Sequence, residues 1–239
     1  MKRRSRADPF VIEQNNATGG VSYWQGRDNQ SAADCDGVSL ACYIHAMYGF
    51  LRQSKCRHVL MIGCGGGTLA TMLHRAGIKV AIVDSHAASF EIARRYFHMP
   101  DDIECHVADG RDFLRRNSAR HDAIVLDAYS DGATPKHFLK TSFFDLAKSR
   151  LGARGAIFLM NLLVAGDDDR TPDRIVRLLR KTWRQARLLD ADGWENRNAV
   201  AAAGAVGKLK RPRLLLPPRR GARKLAATLK ALEFRRLRA

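Results

Sequence analysis

The 239-residue chain is 46% hydrophobic and 27% charged, ordinary values for a globular protein and enough length to bury a sizeable core within one α/β domain. Its net charge of +17 is concentrated at the ends: residues 1–8 carry four basic residues against one acid and residues 204–239 carry twelve against one, leaving a nearly neutral body. No apolar run approaches the ~20 residues that span a bilayer, no apolar signal follows the basic start, and the five scattered cysteines contain no C-x-x-C; a membrane partner, a zinc site and a disulfide framework are all disfavoured, and a cytoplasmic protein with reduced thiols is expected.

In chain order, residues 1–20 end in Asn-Asn-Ala-Thr-Gly-Gly and read as an irregular lead-in or a short hairpin, and residues 21–34 as a polar loop. Leu40, Tyr43, Ile44, Met47, Tyr48 and Leu51 recur at helical spacing and predict a helix over 37–51. It carries Tyr43 and His45 within reach of a ligand; His45 is read as an ordinary, partly buried histidine. Val59 to Ile62 is a continuous apolar run, the pattern of a parallel strand buried on both faces. It enters Gly63, Gly65, Gly66 and Gly67, and a helix over 69–76 follows at once. Strand, glycine turn and helix N-terminus outline a nucleotide site, because glycine permits close backbone approach and the helix end offers free N–H groups. The spacing Gly63-x-Gly65-x-Gly67 is weaker than a dinucleotide fingerprint and also suits a plain tight turn.

Residues 79–83 predict a second buried strand ending at Asp84, an acid placed to accept ribose hydroxyls. A helix over 87–97 and a strand over 103–107 lead to Asp109 and Gly110. Asp109 suits two roles that can coexist, an acceptor for an exocyclic amine and an N-cap for the helix over 111–116. A fourth strand, 123–126, runs into Asp127-Ala-Tyr-Ser-Asp131. Beyond it come a helix over 138–151, a strand over 156–163, a helix over 172–183 opened by Pro172, and two strands, 186–189 and 199–206, forming an edge hairpin. A basic, proline-rich connector (208–220) and a helix over 222–237 finish the chain. This tail is read as solvated: nucleic-acid contact through it is the less favoured alternative, since its single aromatic residue, Phe234, is not the interleaved platform that stacking needs. Asp84, Asp109 and Asp127 each end a predicted parallel strand, and open α/β sheets bind ligands outside those ends. Three acids and one glycine turn therefore converge on one crevice.

The segments VLMIGCGGGTL (59–69), VAIVD (80–84), ADGRDFL (108–114), AIVLDAY (123–129) and PKHFLKTSFFDLAKSRLGARGAIFLMN (135–161) together resemble the spermidine synthase-like branch of the class I methyltransferase superfamily. The resemblance implies a Rossmann-like α/β fold, a mostly parallel seven-stranded sheet closed by a C-terminal antiparallel hairpin. The domains expected are a lead-in or vestigial hairpin over 1–36, a nucleoside-binding transferase domain over 37–206 and a basic tail with a helix over 207–239. The implied donor is S-adenosylmethionine or its decarboxylated form, acting as co-substrate without a metal, and the acceptor is a small-molecule amine; a homodimer is compatible with the branch. By position, Gly63, Gly65 and Gly67 would pass under the nucleoside, Asp84 would hold the ribose, and Asp109 with Gly110 would read the adenine edge. Asp127 matches the first acid of the branch's D-x-x-D-P segment, beside the attacking amine. An amine with a pKa near 10 is protonated at pH 7, so a base must free it, and Asp127 is the candidate. Asp131 and Tyr129 would orient the amine, with Tyr43 lining the pocket; Asp131 also suits a simple turn residue.

Two departures stand out. Members of the branch carry an acid where this chain has Gly66, and the second acid of D-x-x-D-P comes one residue late, at Asp131, followed by Gly132 rather than proline. An acid facing the donor's side arm would favour an ammonium and repel a carboxylate, so its loss leaves both donors open. The readings in contention are thus aminopropyl transfer, methyl transfer from intact S-adenosylmethionine, and a non-catalytic nucleoside-binding module with a basic tail.

Overall fold

Val59, Leu60, Met61 and Ile62 are all buried because helices cover both faces of their strand, as the unbroken apolar run requires. The computed structural model describes residues 10–26, 28–129, 132–153 and 155–238. The elements in order are β1 (Phe10–Asn15), β2 (Gly20–Gln25), β3 (Asp28–Ala33), α1 (Cys42–Gln53), β4 (His58–Ile62), α2 (Thr68–Arg75), β5 (Lys79–Asp84), α3 (Ala87–Phe97), β6 (Glu104–Val107), α4 (Gly110–Arg116) and β7 (Ala123–Leu126). A 3-10 turn (Lys136–Leu139) leads into α5 (Thr141–Ser149), followed by β8 (Ile157–Val164), α6 (Thr171–Thr182), β9 (Ala186–Asp190), β10 (Arg197–Gly204), α7 (Ala222–Ala231) and β11 (Glu233–Arg235). Among the described residues no helix is long and apolar enough to cross a membrane.

The main sheet runs β11-β9-β10-β8-β7-β4-β5-β6. Its β8-β7-β4-β5-β6 portion is parallel, and β10 inserts antiparallel between β8 and β9. This is the Rossmann-like α/β arrangement that the motifs imply, with the β9-β10 hairpin beside β8 and a further strand, β11, outside it at the edge. Alternate residues of β4 feed two cores. Val59 and Met61 join Met47 and Phe50 of α1, Leu69 of α2 and Phe90 of α3 on one face. Leu60 and Ile62 join Leu114 of α4, Phe144 of α5 and Val176 of α6 on the other.

The sheet has eight strands among the described residues rather than seven. The expected helix over 222–237 stops at Ala231, because Leu232 turns to an extended conformation (ψ 134°) and β11 pairs with β9, Phe234 opposite Leu189. The tail is therefore packed, not solvated. Leu229 and Leu232 are buried against α1, Phe234 stacks on Phe50 with ring centroids 5.6 Å apart, and Gln53 exchanges hydrogen bonds with the Lys210 backbone.

The expected polar loop over 21–34 is also corrected. It forms β2 and β3 of a separate three-stranded antiparallel sheet with β1. Val21 and Tyr23 alternate inward and pack with Ala33 on Phe97, which gives this small sheet its own core.

Candidate functional site

Backbone hydrogen bonds at the carboxyl ends of the strands fix the layout. Asp127 N–H donates to Ile62 O, Gly63 N–H to Val83 O and Ala108 N–H to Asp84 O, each at 2.9 Å. The ends of β7, β4, β5 and β6 thus lie side by side and carry, in that order, Asp127, the glycine turn, Asp84 and Asp109. With neighbouring strands ~4.8 Å apart, Asp84 and Asp127 are about two spacings, or ~10 Å, from each other along the edge.

Gly63 has φ +100°, and a Cβ there would run into the Asp127 carbonyl. The turn can follow its path only with glycine, because the left-handed backbone and the close packing on β7 coincide. Gly63→Ala is expected to cost about 1–3 kcal/mol of stability or more, measured by urea denaturation, since strain and collision add. Gly65 faces Ser31, while Gly67 donates its N–H to Cys64 O and serves as N-cap of α2. Gly110 opens α4, packed so tightly on Ile62 that no side chain fits.

Asp84 binds the turn directly. Its Oδ2 accepts from Cys64 N–H at 2.8 Å and its Oδ1 from His86 N–H at 2.9 Å, which holds the carboxylate in place and leaves one acceptor position on each oxygen. Asp109 caps α4, its Oδ1 accepting from the N–H groups of Arg111 (2.9 Å) and Asp112 (3.1 Å). Its Oδ2 points elsewhere and meets His137 Nε2 at 2.9 Å.

Asp127 is the buried member. Its Oδ1 accepts from Asn161 Nδ2 at 2.8 Å and its Oδ2 from the Tyr43 hydroxyl at 3.2 Å. Burial raises its pKa above the usual carboxylate range, and the hydrogen bonds from Asn161 and Tyr43 offset that in part. Burial likewise raises the Tyr43 and Tyr129 hydroxyls, with the Asp127 charge adding to both. The chain of contacts continues on β10, where Asn198 Nδ2 donates to Asn161 Oδ1 at 3.0 Å. His45 lies fully buried with Nε2 2.7 Å from Ser39 O, and burial lowers its pKa; it is a packed histidine, as the sequence reading had it. Asp131 lies outside the described residues.

Four participants escaped the sequence reading. Asn161 sits in the apolar run of β8, where a lone polar residue was the available signal. Asn198 and Ser31 gave none. Ser31 Oγ accepts from Gly66 N–H at 2.8 Å, so β3 seals the outer side of the turn. Tyr23, also from the small sheet, is buried near Asp84; burial first and the Asp84 charge second push its hydroxyl up to about 12.

The family described as "Methyltransferase domain" matches residues 59–143, which include all four strand ends. The chain is 32% identical over 142 residues to a polyamine aminopropyltransferase of Chromobacterium violaceum, covering 55% of this chain and 53% of that protein. It is also 32% identical over 128 residues to a protein of Drosophila melanogaster named eEF1A lysine and N-terminal methyltransferase homolog, covering 48% of this chain and 19% of that one. The chain thus spans between about a fifth and a half of these relatives. Among solved structures, a probable spermidine synthase from Corynebacterium glutamicum superposes with a TM-score of 0.72 at 15% identity, covering 82% of this chain and 76% of that one.

The chain is similar to the spermidine synthase-like branch of the class I methyltransferase superfamily.

In this spermidine synthase-like frame the glycine at 66 gains a physical reason. A Cβ at Gly66 would stand 2.8 Å from the Phe97 ring, so Phe97 fills the space beside the turn where an acidic side chain would begin. The ring is fully buried and belongs to the core of the small sheet.

Proposed function

We propose that the chain transfers an alkyl group from a sulfonium nucleoside of the S-adenosylmethionine type to an amine, with Asp127 as general base. The reading rests above all on Asp127, a buried carboxylate of raised pKa held by Tyr43 and Asn161 at the end of β7, beside the turn that would pass under the donor. Asp84 would accept the ribose hydroxyls and Asp109, with Gly110, the adenine amine. The acceptor ammonium gives a proton to Asp127, and its nitrogen lone pair then attacks the carbon next to sulfur. The C–N bond forms, the C–S bond breaks, and its electron pair neutralises the sulfonium, leaving a thioether nucleoside. Tyr129, and Asp131 in this proposal, would orient the amine.

Aminopropyl transfer from decarboxylated S-adenosylmethionine is the reaction favoured by the motif resemblance and by the aminopropyltransferase relative. Methyl transfer is the second reading, supported by the Phe97 ring at Gly66, which leaves no acid there to select an ammonium over a carboxylate. Incubation with each donor and a panel of amines decides between them. Release of methylthioadenosine supports aminopropyl transfer, release of S-adenosylhomocysteine supports methyl transfer, and binding of either donor with no product overturns the catalytic reading. Asp84→Ala is expected to weaken donor binding at least tenfold, about 1.4 kcal/mol, in a calorimetric titration. Unchanged affinity would remove Asp84 from the site.

A further inference from the structure

At the opposite end of the sheet from the strand ends described above, a cavity of about 400 Å³ is lined by Arg180, Arg184, Gln185, Ala186, Arg187 and Gly207. Ala186 begins β9 and is paired with Ala203 near the end of β10, while Gly204 is opposite Ile157, the first residue of β8. Along β8 the cavity is therefore about 13 Å from the Asp127 cluster, the four residues from Ile157 to Asn161 at ~3.3 Å each. Its lining holds three guanidinium groups and no carboxylate.

Two of the three are fixed in place. Arg180 donates from Nε and Nη2 to Ala186 O at 3.3 and 3.2 Å. Arg187 donates from Nη1 to the carbonyls of Val206 and Leu209 at 3.2 and 2.7 Å, and its guanidinium carbon lies 3.4 Å from the Phe234 ring centroid. Arg184 is exposed, as are Lys181 and Lys208 in the flanking segments. The negative end of α6 accounts for a cation at Arg180 or Lys181. It does not account for Arg184 and Arg187, which line the same cavity from the segment after α6 and from β9, or for the exposed Lys208, which follows Gly207 of the lining.

We propose that this face binds the phosphate groups of a nucleic-acid duplex backbone. Guanidinium forks suit phosphate oxygens, and several cations on one face suit a repeating anion better than a single small one. The nearby aromatic residues cannot stack on bases, because Trp183 is buried and Phe234 lies beneath Arg187. Binding is accordingly to the backbone, independent of base sequence and strongly dependent on salt. The proposal does not depend on the transferase reading.

Fluorescence anisotropy with a labelled 20-base-pair duplex, measured over a range of salt concentrations, tests it. The wild-type chain is expected to bind with a log K against log salt slope of about −3 to −4, from about four neutralised phosphates. The double variant Arg184→Glu, Lys208→Glu is expected to bind at least tenfold more weakly and to flatten that slope by about two. A charge-matched control on the exposed face of α7, Arg223→Glu with Lys230→Glu, is expected to change affinity less than threefold, and circular dichroism should give all three proteins the same melting curve. An equal loss in the control would reduce the effect to net charge and overturn the site. Absence of duplex binding, or binding confined to phosphatidylserine vesicles, would overturn it as well.

Discussion

Asp127→Asn should lower turnover by about a thousandfold while leaving donor affinity within about twofold, the middle of the 10²–10⁴ range for a general base. In the proposed mechanism the substitution removes the proton acceptor, with little disturbance to its surroundings. The amide oxygen can keep the bond from Asn161 Nδ2, and the new amide can donate to the Tyr43 hydroxyl, which then accepts instead of donating. Asp127→Ala is a poorer probe, because it leaves two buried donors unpaired at about 1–3 kcal/mol each. The pH profile supplies the second readout. Asp127 must be ionised to take a proton, and burial lifts its pKa. The acid limb of kcat should therefore fall above the ordinary carboxylate range and vanish in the Asn variant. A single-turnover assay with saturating donor isolates the step, and an undiminished rate would dismiss Asp127 as the base.

The parts of the site that could be read in the sequence are those made by local pattern. The apolar run of β4, the acid closing β5 and the Asp-Gly opening α4 each announce themselves within ten residues, and the structure puts all of them along one edge. What could not be read depends on contacts between distant segments. Ser31 lies in Asp28-Asn-Gln-Ser-Ala-Ala33, a stretch with no strand pattern; it is extended because β2 pairs with it and the glycine turn needs an acceptor on that side. The alternation of Val21 and Tyr23 is only two inward residues long, too short to mark a strand, so the stretch reads as a loop. Phe97 ends an ordinary amphipathic helix, and nothing nearby in sequence says that its ring will stand beside Gly66. The tail misled for a related reason. Leu225, Leu229 and Leu232 share a helical face, so the periodicity carries a helix onward past the point where Phe234 and Arg235 are drawn to β9 and its acids.

Those acids account for the second large effect expected, in stability rather than rate. Asp190→Asn should lower the free energy of unfolding by about 3 kcal/mol, the lower end of the range for breaking a buried ion pair. Both Asp190 oxygens are fully used: Oδ1 accepts from Arg197 Nε (2.8 Å) and Ala191 N–H (2.9 Å), and Oδ2 from Arg235 Nε (2.8 Å) and Arg197 Nη2 (3.2 Å). An asparagine amide, whichever way it faces, sets N–H against two of these donors and removes the charge between two arginines. The loss stays near the lower end because Arg235 keeps Asp173, at 2.9 and 3.0 Å, and Arg197 keeps Asp167 at 3.1 Å. Asp192→Asn, at an exposed partner of Arg238, is the control and should cost no more than about 1 kcal/mol. Burial alone would raise the pKa of Asp190 and of Asp173, but the hydrogen bonds and charges of Arg197 and Arg235 outweigh it and lower both. A lowered folded-state pKa means stability that is present above the unfolded value near 3.8 and lost as pH falls through the depressed one. Wild-type stability in urea should therefore drop below about pH 4 more steeply than that of Asp190→Asn. Because Arg235 ties β11 to the sheet, the variant should also lose hydrogen-exchange protection first at residues 233–235; retained protection there, or an unchanged denaturation midpoint, would mean that backbone pairing with β9 and the Phe50–Phe234 stack hold the tail without the ions.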